Sequence, residues 1–378
     1  MKFTIDNKEL KRLLKQAIAG VDTKANWEPL TRLTFMILMD ELHVIGSNSI
    51  SYVDAYTTDV EIDDDVGNYS IYFDDAKLLL KMSGEITFEY DDVLNKVKIT
   101  SGNRKINIRG WSCNGVLFAG EKTHVMDIEE GHLVKVINAL SKFTIDAGIK
   151  HYININFAEK RFEACEGSCI AIRDFSSEVL DKSISNMMIH RKYFKLIKGT
   201  MSSKSKDIVK MSASDEFVLL EKDGLKCVIK AEGDEFLRIS ELLDDVVKAP
   251  IYKFRFNRNE ALIALKDSLN LSKEKNVFLY KAEGKLYIYT ENRNSSMVES
   301  VETEDIENNS EEDLIILFNT QYLIDVLSGI NADNVECHMT GYKSPVMFYG
   351  EEFRFLVLPK SYDINKGKRI VETITKEI

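Results

Sequence analysis

A strand that leads directly into an amphipathic helix recurs along this chain, and the repeat limits the possible folds more than any other feature. In the last copy, residues 314–318 form an apolar run of strand length. Asn319 follows, a residue type that accepts hydrogen bonds from the free N–H groups at a helix N-terminus. Tyr322, Val326 and Ile330 then recur at helical spacing. Alternating, strand-like sequence after the helix completes a β-α-β-β-β unit.

The same opening occurs six times, at intervals of about sixty residues. The six strands are predicted at residues 1–5, 69–73, 125–128, 187–189, 252–256 and 314–318. Two units per domain predict three α+β domains of similar size, at residues 1–124, 125–249 and 250–378. The alternative is chance, since any α+β chain has strands ahead of helices. A polar capping residue at the same place in most copies favours a true repeat.

The composition is typical of a globular protein without a membrane span. Apolar residues make up 44% of the 378 positions, but no apolar run approaches the roughly 20 residues that a membrane helix needs. The N-terminus has no apolar stretch of the kind found in signal peptides. The cysteines are odd in number and scattered, which predicts reduced thiols. Together these features predict a soluble cytoplasmic protein.

The formal charge of −11 argues against a nucleic-acid partner when it is taken alone. The basic residues, however, are concentrated in predicted helices: six lie between Arg191 and Lys206 with no acid among them. The helices either form a phosphate-binding surface or carry lysine because it favours exposed helix positions. Residues 299–313 contain eight acids, which predicts a solvated strand end and loop.

Catalytic and cofactor-binding motifs are not recognisable in the sequence. There is no Gly-rich phosphate loop of the Walker or dinucleotide type. Cys165 and Cys169 form a C-x3-C pair without a second pair or a suitably spaced histidine, so structural cysteines are favoured over a zinc site. The acids at 61 and 63–65 indicate an acidic turn more than a cation site. We therefore predict a protein that is not an enzyme and has no cofactor or metal.

Five segments carry a likeness to a known family. They are MKFTI (1–5) with Leu10, Pro29 and Leu30 with Leu33, FNTQYLIDVL (318–327), Ser344 and Pro345, and FLVLP (355–359). In this order and spacing they resemble the bacterial sliding clamp, the beta subunit of DNA polymerase III. The likeness spans the chain and is most specific in the last predicted domain.

The resemblance implies three tandem copies of a DNA-clamp domain, each built from two β-α-β-β-β units. Two chains would close head to tail into a ring, with the helices lining the hole and the sheets outside. Such a homodimer encircles double-stranded DNA without sequence preference and tethers the DNA polymerase III catalytic subunit as a processivity factor. The clamp loader and other proteins with a clamp-binding motif are further expected partners. The expected location is the cytoplasm, at the nucleoid, with no membrane partner.

The resemblance also implies a peptide-binding groove for the tails of these partners. Its positions here are Ile153, Cys165, Gly167, Ile170, Leu237, Leu242, Asn319, Tyr322, Pro345, Leu356 and Leu358. Their apolar character suits a peptide-binding hot spot, although each alone would also fit an ordinary core. Residues 165–170 read Cys-Glu-Gly-Ser-Cys-Ile, where the family usually has Thr-Asp-Gly-His-Arg-Leu. We therefore expect a changed peptide preference.

Two further surfaces follow from the resemblance. The DNA-facing residues would be Lys8, Lys11, Arg12, Lys15, Lys24, Arg191, Lys192, Lys195, Lys198 and Lys204. At the dimer interface, Ile106 and Ile108 would lie against Leu271. The alternation of Ile106 and Ile108 indicates an edge strand, which either takes a partner or is protected by its basic neighbours.

Residues 362–378 continue beyond the usual end of the family. Ile370, Ile374 and Ile378 have helical spacing, which predicts a short helix, and we expect it to shield the groove. The sequence also leaves open a second function, a diverged clamp-like adaptor that binds proteins through the groove without encircling DNA. Weak basicity in four of the six predicted helices motivates that alternative.

Overall fold

The computed structural model describes residues 1–65, 67–113, 120–144, 151–181, 184, 186–233, 236–241, 243, 250–308 and 314–377. Within these residues the chain is a mixed α+β protein dominated by antiparallel strands. None of the helices in these ranges has the length and apolarity needed to cross a membrane.

Strands and helices alternate through the chain in the predicted order. The first third contains β1 (Lys2–Asp6), α1 (Asn7–Gly20), β2 (Arg32–Leu38), β3 (Glu41–Ser47), β4 (Tyr52–Thr57), β5 (Glu61–Asp64), β6 (Tyr69–Tyr72), α2 (Phe73–Leu79), β7 (Glu85–Asp91), β8 (Lys96–Ser101), β9 (Arg104–Arg109) and β10 (Trp111–Ser112). The middle third contains β11 (Thr123–Glu129), α3 (Glu130–Leu140), β12 (Tyr152–Asn156), β13 (Arg161–Cys165), β14 (Cys169–Asp174), β15 (Asn186–His190), α4 (Phe194–Thr200), β16 (Ile208–Ala213), β17 (Phe217–Lys222) and β18 (Leu225–Glu232).

The last third is the longest. It contains β19 (Tyr252–Asn257), α5 (Arg258–Leu271), β20 (Asn276–Ala282), β21 (Lys285–Glu291), β22 (Ser296–Asn308), β23 (Leu314–Asn319), α6 (Thr320–Gly329), β24 (Asn334–Met339), β25 (Val346–Tyr349), β26 (Phe353–Val357) and α7 (Ile364–Glu377).

All six predicted strand–helix openings are present, as β1-α1, β6-α2, β11-α3, β15-α4, β19-α5 and β23-α6. Four of them are followed by three strands, and the first two by a fourth short strand as well, β5 and β10, so the predicted β-α-β-β-β repeat is confirmed. Side-chain caps begin several of these helices: Asp6 accepts from the Lys8 N–H at 2.7 Å and Asn319 from the Gln321 N–H at 3.0 Å. In the second copy, Asp74 follows the predicted strand 69–73 and is the expected cap, but this prediction is wrong. Helix α2 begins at Phe73 without a side-chain cap, and Asp74 lies in its first turn.

The described residues group into two compact units. The first comprises Met1–Asn138 and Ser177–Asp234, and the second comprises Ala139–Ser176 and Glu235–Ile378. Antiparallel pairing of β4 with β18 ties the first predicted domain to the later part of the second. Pairing of β14 with β26 ties the earlier part of the second to the third. The division into three domains therefore stays a prediction.

A stack of aromatic rings fills the core of the first unit. Phe3 stacks on Phe88 with ring centroids 4.8 Å apart, and Phe35 stacks on Tyr69 at 5.1 Å. Leu10, Leu13, Leu14 and Ala17 bury one face of α1 against this core. These are residues of the apolar stripe predicted for the first helix.

Helix α7 covers one face of the sheet formed by β22, β21, β20 and β23. Ile370 and Ile374 are completely buried there against Phe278, Tyr280 and Tyr287. The Tyr362 hydroxyl donates to the Ile315 carbonyl at 2.6 Å and fixes the chain that leads into the helix. The predicted helix therefore exists, and its apolar side packs on this sheet, so a structural role replaces the expected shielding of the groove. Ile378 lies outside the described residues.

The acidic stretch at 299–313 differs from its prediction. Strand β22 runs from Ser296 to Asn308 and pairs with β21 through Glu302, then with β19 from Thr303. Most of the acids thus belong to one long strand instead of a strand end and loop. Residues 309–313 lie outside the described residues.

Helix α1 crosses strand β3 so closely that both elements need glycine at the contact. A Cβ on Gly46 would lie 1.8 Å from the Ala17 carbonyl oxygen, and one on Gly20 would lie 2.2 Å from the Gly46 carbonyl oxygen. Both distances are far shorter than van der Waals contact, and the obstructing atoms are backbone atoms that cannot rotate away.

We expect Gly46→Ala to lower the free energy of unfolding by about 1–3 kcal/mol, because α1 must move away from β3. Thermal unfolding followed by circular dichroism measures the loss. Gly233→Ala is the matched control, since a Cβ there meets no atom within 4 Å. Equal melting temperatures for the two variants would contradict the packing described for α1 and β3.

Candidate functional site

Two of the helices that carry predicted DNA-facing residues lie side by side in the first unit. Helices α1 and α4 pack closely enough that a Cβ on Gly199 would come within 2.6 Å of the Ala19 Cβ. Basic residues that are far apart in the sequence are thereby brought to neighbouring helices.

Eight of the ten predicted DNA-facing residues are exposed: Lys8, Lys15, Lys24, Arg191, Lys192, Lys195, Lys198 and Lys204. Lys11 is half-buried. Arg12 is also half-buried, and its guanidinium donates to the Glu9 carboxylate, the Gln16 side chain and the carbonyls of Tyr56 and Gly224. Because its donors already have protein acceptors, Arg12 has a structural role in the first unit and little capacity left for phosphate.

Strand β9 is the outer strand of its sheet. That sheet has the order β5-β1-β7-β8-β9, and β9 pairs only with β8 among the described strands. Ile108 is buried and Ile106 half-buried against the core, while Arg104, Lys105 and Arg109 are exposed. The predicted edge strand is therefore present, with a basic outer side.

Strand β22 supplies a second unpaired edge, in the second unit. Between Ser296 and Glu302 it pairs on one side with β21 and has no strand on its other side within the described ranges. This part carries Glu299 and Glu302 and no cation. Leu271, the predicted interface residue, is the last residue of α5, and its carbonyl accepts from the Asn292 side chain at 3.2 Å.

Several of the predicted groove residues lie at the pairing of β14 with β26. Ile170 pairs with Leu356 across that junction and with Cys165 across the β13–β14 hairpin. The Leu358 N–H donates to the Ser168 carbonyl at 2.8 Å, which holds Leu358 beside the Gly167 loop. Gly167 has φ +102°, a conformation that favours glycine.

Helix α6 brings Tyr322 to the same loop. The Tyr322 side chain hydrogen-bonds with those of Glu166 and Ser168. Burial raises the pKa of Tyr322, and the Glu166 carboxylate raises it further. Along the same helix, burial raises the pKa of Asp325, whose carboxylate accepts from the Gln321 side chain at 3.1 Å. The polar groups around Tyr322 therefore include two acids, Glu166 and Asp325. The histidine and arginine that the resemblance would lead one to expect at 168 and 169 are replaced by Ser168 and Cys169.

The groove residues differ in how much a ligand could touch. Ile153, Cys165, Ile170 and Leu356 are buried and would form the floor of the predicted groove. Leu237 is 37% exposed and Leu358 is 41% exposed, so these two leucines offer the accessible apolar surface. Tyr322, Pro345, Gly167 and Asn319 are half-buried, and Asn319 also caps α6. Leu242 lies outside the described residues.

The cysteines have no features of a catalytic or metal site. Burial raises the pKa of the Cys169 and Cys337 thiols well above the ordinary value, and that of Cys227 to about 12. A thiolate is the reactive form, so these buried thiols are inert at neutral pH. Across the described ranges, no group of three or more His, Cys, Asp and Glu residues is placed to hold a metal ion.

Two functional features escaped the sequence reasoning. The acidic edge of β22 was assigned to a strand end and loop because its charge obscured the alternation of Val301, Thr303 and other strand-forming residues. The hydrogen bonding of Tyr322 with the loop at 166–168 joins residues about 150 positions apart, and no local pattern predicts such a contact.

Comparisons with known proteins agree with this geometry. Residues 258–354 match the family model of the DNA polymerase III beta subunit, C-terminal domain. No curated protein sequence matches the chain significantly.

Solved sliding clamps match in structure at low sequence identity. The Bacillus subtilis DNA polymerase sliding clamp is 17% identical, with a TM-score of 0.84, 96% of this chain covered and 100% of that one. A Pseudomonas aeruginosa sliding clamp bound to griselimycin is 15% identical, with a TM-score of 0.84 and the same coverage. The Caulobacter crescentus pol III beta is 16% identical, with a TM-score of 0.82 and again the same coverage.

The structural matches cover nearly the whole chain, and the family model covers part of its last third. The chain therefore has the fold of the bacterial sliding clamps, and its residues 258–354 match the C-terminal domain of the DNA polymerase III beta subunit.

Proposed function

We propose that this protein is a non-catalytic DNA sliding clamp, a homodimeric ring that encircles duplex DNA and tethers the replicative polymerase through the groove. The observation that carries the proposal is a pair of unmatched strand edges. Within the chain, the last strand of one β-α-β-β-β copy pairs with the last strand of another copy at two places. These pairs are β4 with β18 and β14 with β26. Among the described strands, β9 and β22 are the corresponding strands without such a partner, and a second copy of the chain can pair them.

The pairs β4–β18 and β14–β26, here called the internal junctions, share one register. The same register can be applied to the proposed pairing of β22 with β9 of a second copy. Tyr52 and Ile170 are the first paired residues after their hairpin loops, and they pair with Val228 and Leu356. Val228 and Leu356 are each the fourth residue of their strand. The equivalent residues are Ser296 in β22 and Asn107 in β9.

The transferred register places complementary side chains opposite each other. In this register Ser296 lies opposite Asn107. Because the strands are antiparallel, Met297 then lies opposite Ile106, and Glu299 lies opposite Arg104. An apolar pair beside an ion pair stabilises an antiparallel ladder. A two-fold dimer contains this junction twice, which closes a ring and leaves neither edge exposed.

We expect Met297→Cys combined with Ile106→Cys to form an intermolecular disulfide at both junctions, because directly opposite residues have Cβ atoms about 4.5–5.5 Å apart. Non-reducing electrophoresis after mild oxidation measures the crosslink. The control pairs Met297→Cys with Lys105→Cys, which is displaced by one residue and faces the opposite side of the sheet. Equal crosslinking of both pairs, or crosslinking of neither, would contradict the register.

DNA binding by such a ring does not require a strongly basic protein. A ring is held by topology, so the exposed lysines of α1 and α4 need only supply weak phosphate contacts that permit sliding. The acidic remainder of the chain discourages binding to DNA elsewhere on the surface. The cytoplasm, at the nucleoid, is the location that fits this function.

The function is tested by loading the protein on a nicked circular plasmid with the clamp loader and ATP. We expect the protein to co-elute with the circle in gel filtration and to be lost when the plasmid is cut once, since a ring slides off a free end. The alternative function, an adaptor that binds proteins without encircling DNA, predicts that the protein is retained on neither the circular nor the linear plasmid. Equal retention on circular and linear DNA would show direct binding and rule out the ring.

The groove fits a peptide tail of the polymerase catalytic subunit, the clamp loader or another clamp-binding protein. Leu237 and Leu358 supply exposed apolar surface over a buried floor, the arrangement of a peptide hot spot. The acidic polar side formed by Glu166 and Asp325 favours peptides that present hydrogen-bond donors there.

We expect Leu358→Asp to weaken binding of a fluorescent peptide from the polymerase C-terminus by about tenfold or more, because hot-spot truncations cost at least 1–2 kcal/mol. Fluorescence anisotropy measures the affinity. Leu94→Asp is the matched control, since Leu94 is 69% exposed on the β7–β8 hairpin of the first unit, which contains none of the predicted groove residues. Unchanged affinity in Leu358→Asp would place the peptide site elsewhere.

A further inference from the structure

An exposed tryptophan projects from the loop that follows α1. Trp27 is 63% exposed, although an indole side chain is large and is usually mostly buried. Within the described part of the chain its indole side chain makes no hydrogen bond or ring contact. A tryptophan displayed in this way is typical of a contact site for another molecule.

The loop that carries Trp27 is ordered by its own hydrogen bonds. The Asp22 N–H donates to the Leu30 carbonyl at 3.2 Å and closes the loop at its base. Inside it, the Ala25 N–H donates to the Asp22 carbonyl and the Leu30 N–H to the Trp27 carbonyl. Trp27 is therefore presented on a closed loop, so little ordering entropy is lost when it binds a partner.

The charge around the loop favours an anionic partner. Lys24 is exposed, and Lys15 lies on the adjoining helix, roughly 8 Å from its end at about 1.5 Å per residue. The two acids of the loop, Asp22 and Glu28, have partners within the protein. The Asp22 carboxylate accepts from the Lys24 N–H at 3.1 Å, and Glu28 pairs with Arg32 at 3.0 Å.

The neighbours of Trp27 also argue against a protein partner. The other exposed residues of the loop are Thr23, Lys24, Asn26, Glu28 and Pro29, most of them polar. A protein hot spot needs a surrounding apolar area that excludes water, and this loop has none. An aromatic ring beside lysine is instead the arrangement that binds single-stranded nucleic acid by stacking on bases and contacting phosphates.

We propose that Trp27 stacks on an unpaired base of single-stranded DNA, with Lys24 contacting the adjacent phosphate. The faces of bases inside a duplex are covered by their neighbours, so the indole can reach one only where the duplex ends and a single strand begins. The inference deepens the proposed function, on which it rests, because a ring on duplex DNA meets unpaired bases at the primer–template junction. The loop is then a junction sensor at one end of the basic helix α1.

Intrinsic fluorescence tests the contact directly, because the chain has only 2 tryptophans. In Trp111→Phe all tryptophan emission comes from Trp27. Titration with a single-stranded oligonucleotide, or with a duplex that has a single-stranded overhang, is expected to quench it, and a blunt duplex is not. The same titration of Trp27→Phe, in which only Trp111 emits, supplies the background and also serves if Trp111→Phe folds poorly.

Affinity for the single strand supplies the second measurement. Trp27→Ala is expected to weaken it roughly 5- to 150-fold, the range that base stacking contributes. Trp27→Phe is expected to lose less. Met39→Ala, at an apolar side chain that is 97% exposed in the same unit, is expected to bind as the wild type does.

Three results would overturn the inference: equal quenching by blunt and overhanging DNA, wild-type affinity in Trp27→Ala, or quenching that occurs only when a polymerase peptide is added. Retention of the wild-type protein on nicked circular DNA reports on the ring separately. Retention without quenching would overturn the role of Trp27 alone, whereas quenching without retention would overturn the ring and leave the single-strand contact standing.

Discussion

The fold depends on the pairing of strand edges. Every β-α-β-β-β copy ends in a strand whose outer side carries unpaired N–H and C=O groups, and such an edge either finds a partner or invites aggregation. Four of these edges are paired within the chain, β4 with β18 and β14 with β26. These pairings also explain the two compact units, because each joins part of the middle third of the chain to one end. The same requirement, applied to β9 and β22, is the basis of the proposed ring.

Local charge is compatible with the proposed binding of DNA by an acidic chain. Helices α1 and α4, which pack together, expose Lys8, Lys15, Lys195 and Lys198, while β22 holds a run of acids. Since a phosphate-binding surface needs only local positive potential, the net charge of −11 does not decide the partner. Arg12 shows why charge alone is also insufficient at the level of residues. Its position on the basic face of α1 indicated DNA, yet its hydrogen bonds to Glu9 and to the Gly224 carbonyl give it a structural role.

The sequence predicted the repeat and the helices well because both depend on local periodicity. The apolar stripe of α1, the cap at Asn319 and the helical spacing of Ile370 and Ile374 were visible without any tertiary information. What packs on each element was not visible. The expectation that the C-terminal helix shields the groove failed because an amphipathic pattern specifies an apolar face but not the surface that covers it. The candidate groove could be named only by resemblance, and the contact of Tyr322 with the loop at 166–168 depends on the tertiary arrangement.

The opposite charges of β9 and β22 do more than stabilise one contact, because they discriminate among the possible dimers. Two β9 strands placed together would bring Arg104, Lys105 and Arg109 against their own copies, and two β22 strands would do the same with Glu299 and Glu302. Like charges opposite each other destabilise a ladder, whereas the mixed pairing gains ion pairs. Only the β9–β22 pairing is head to tail, so the charges select the arrangement that repeats the internal junctions and closes. An uncharged pair of edges would satisfy the hydrogen bonds equally well but would allow open chains and non-productive dimers. The acids on β22 that obscured this strand in the sequence are thus the feature that specifies its partner.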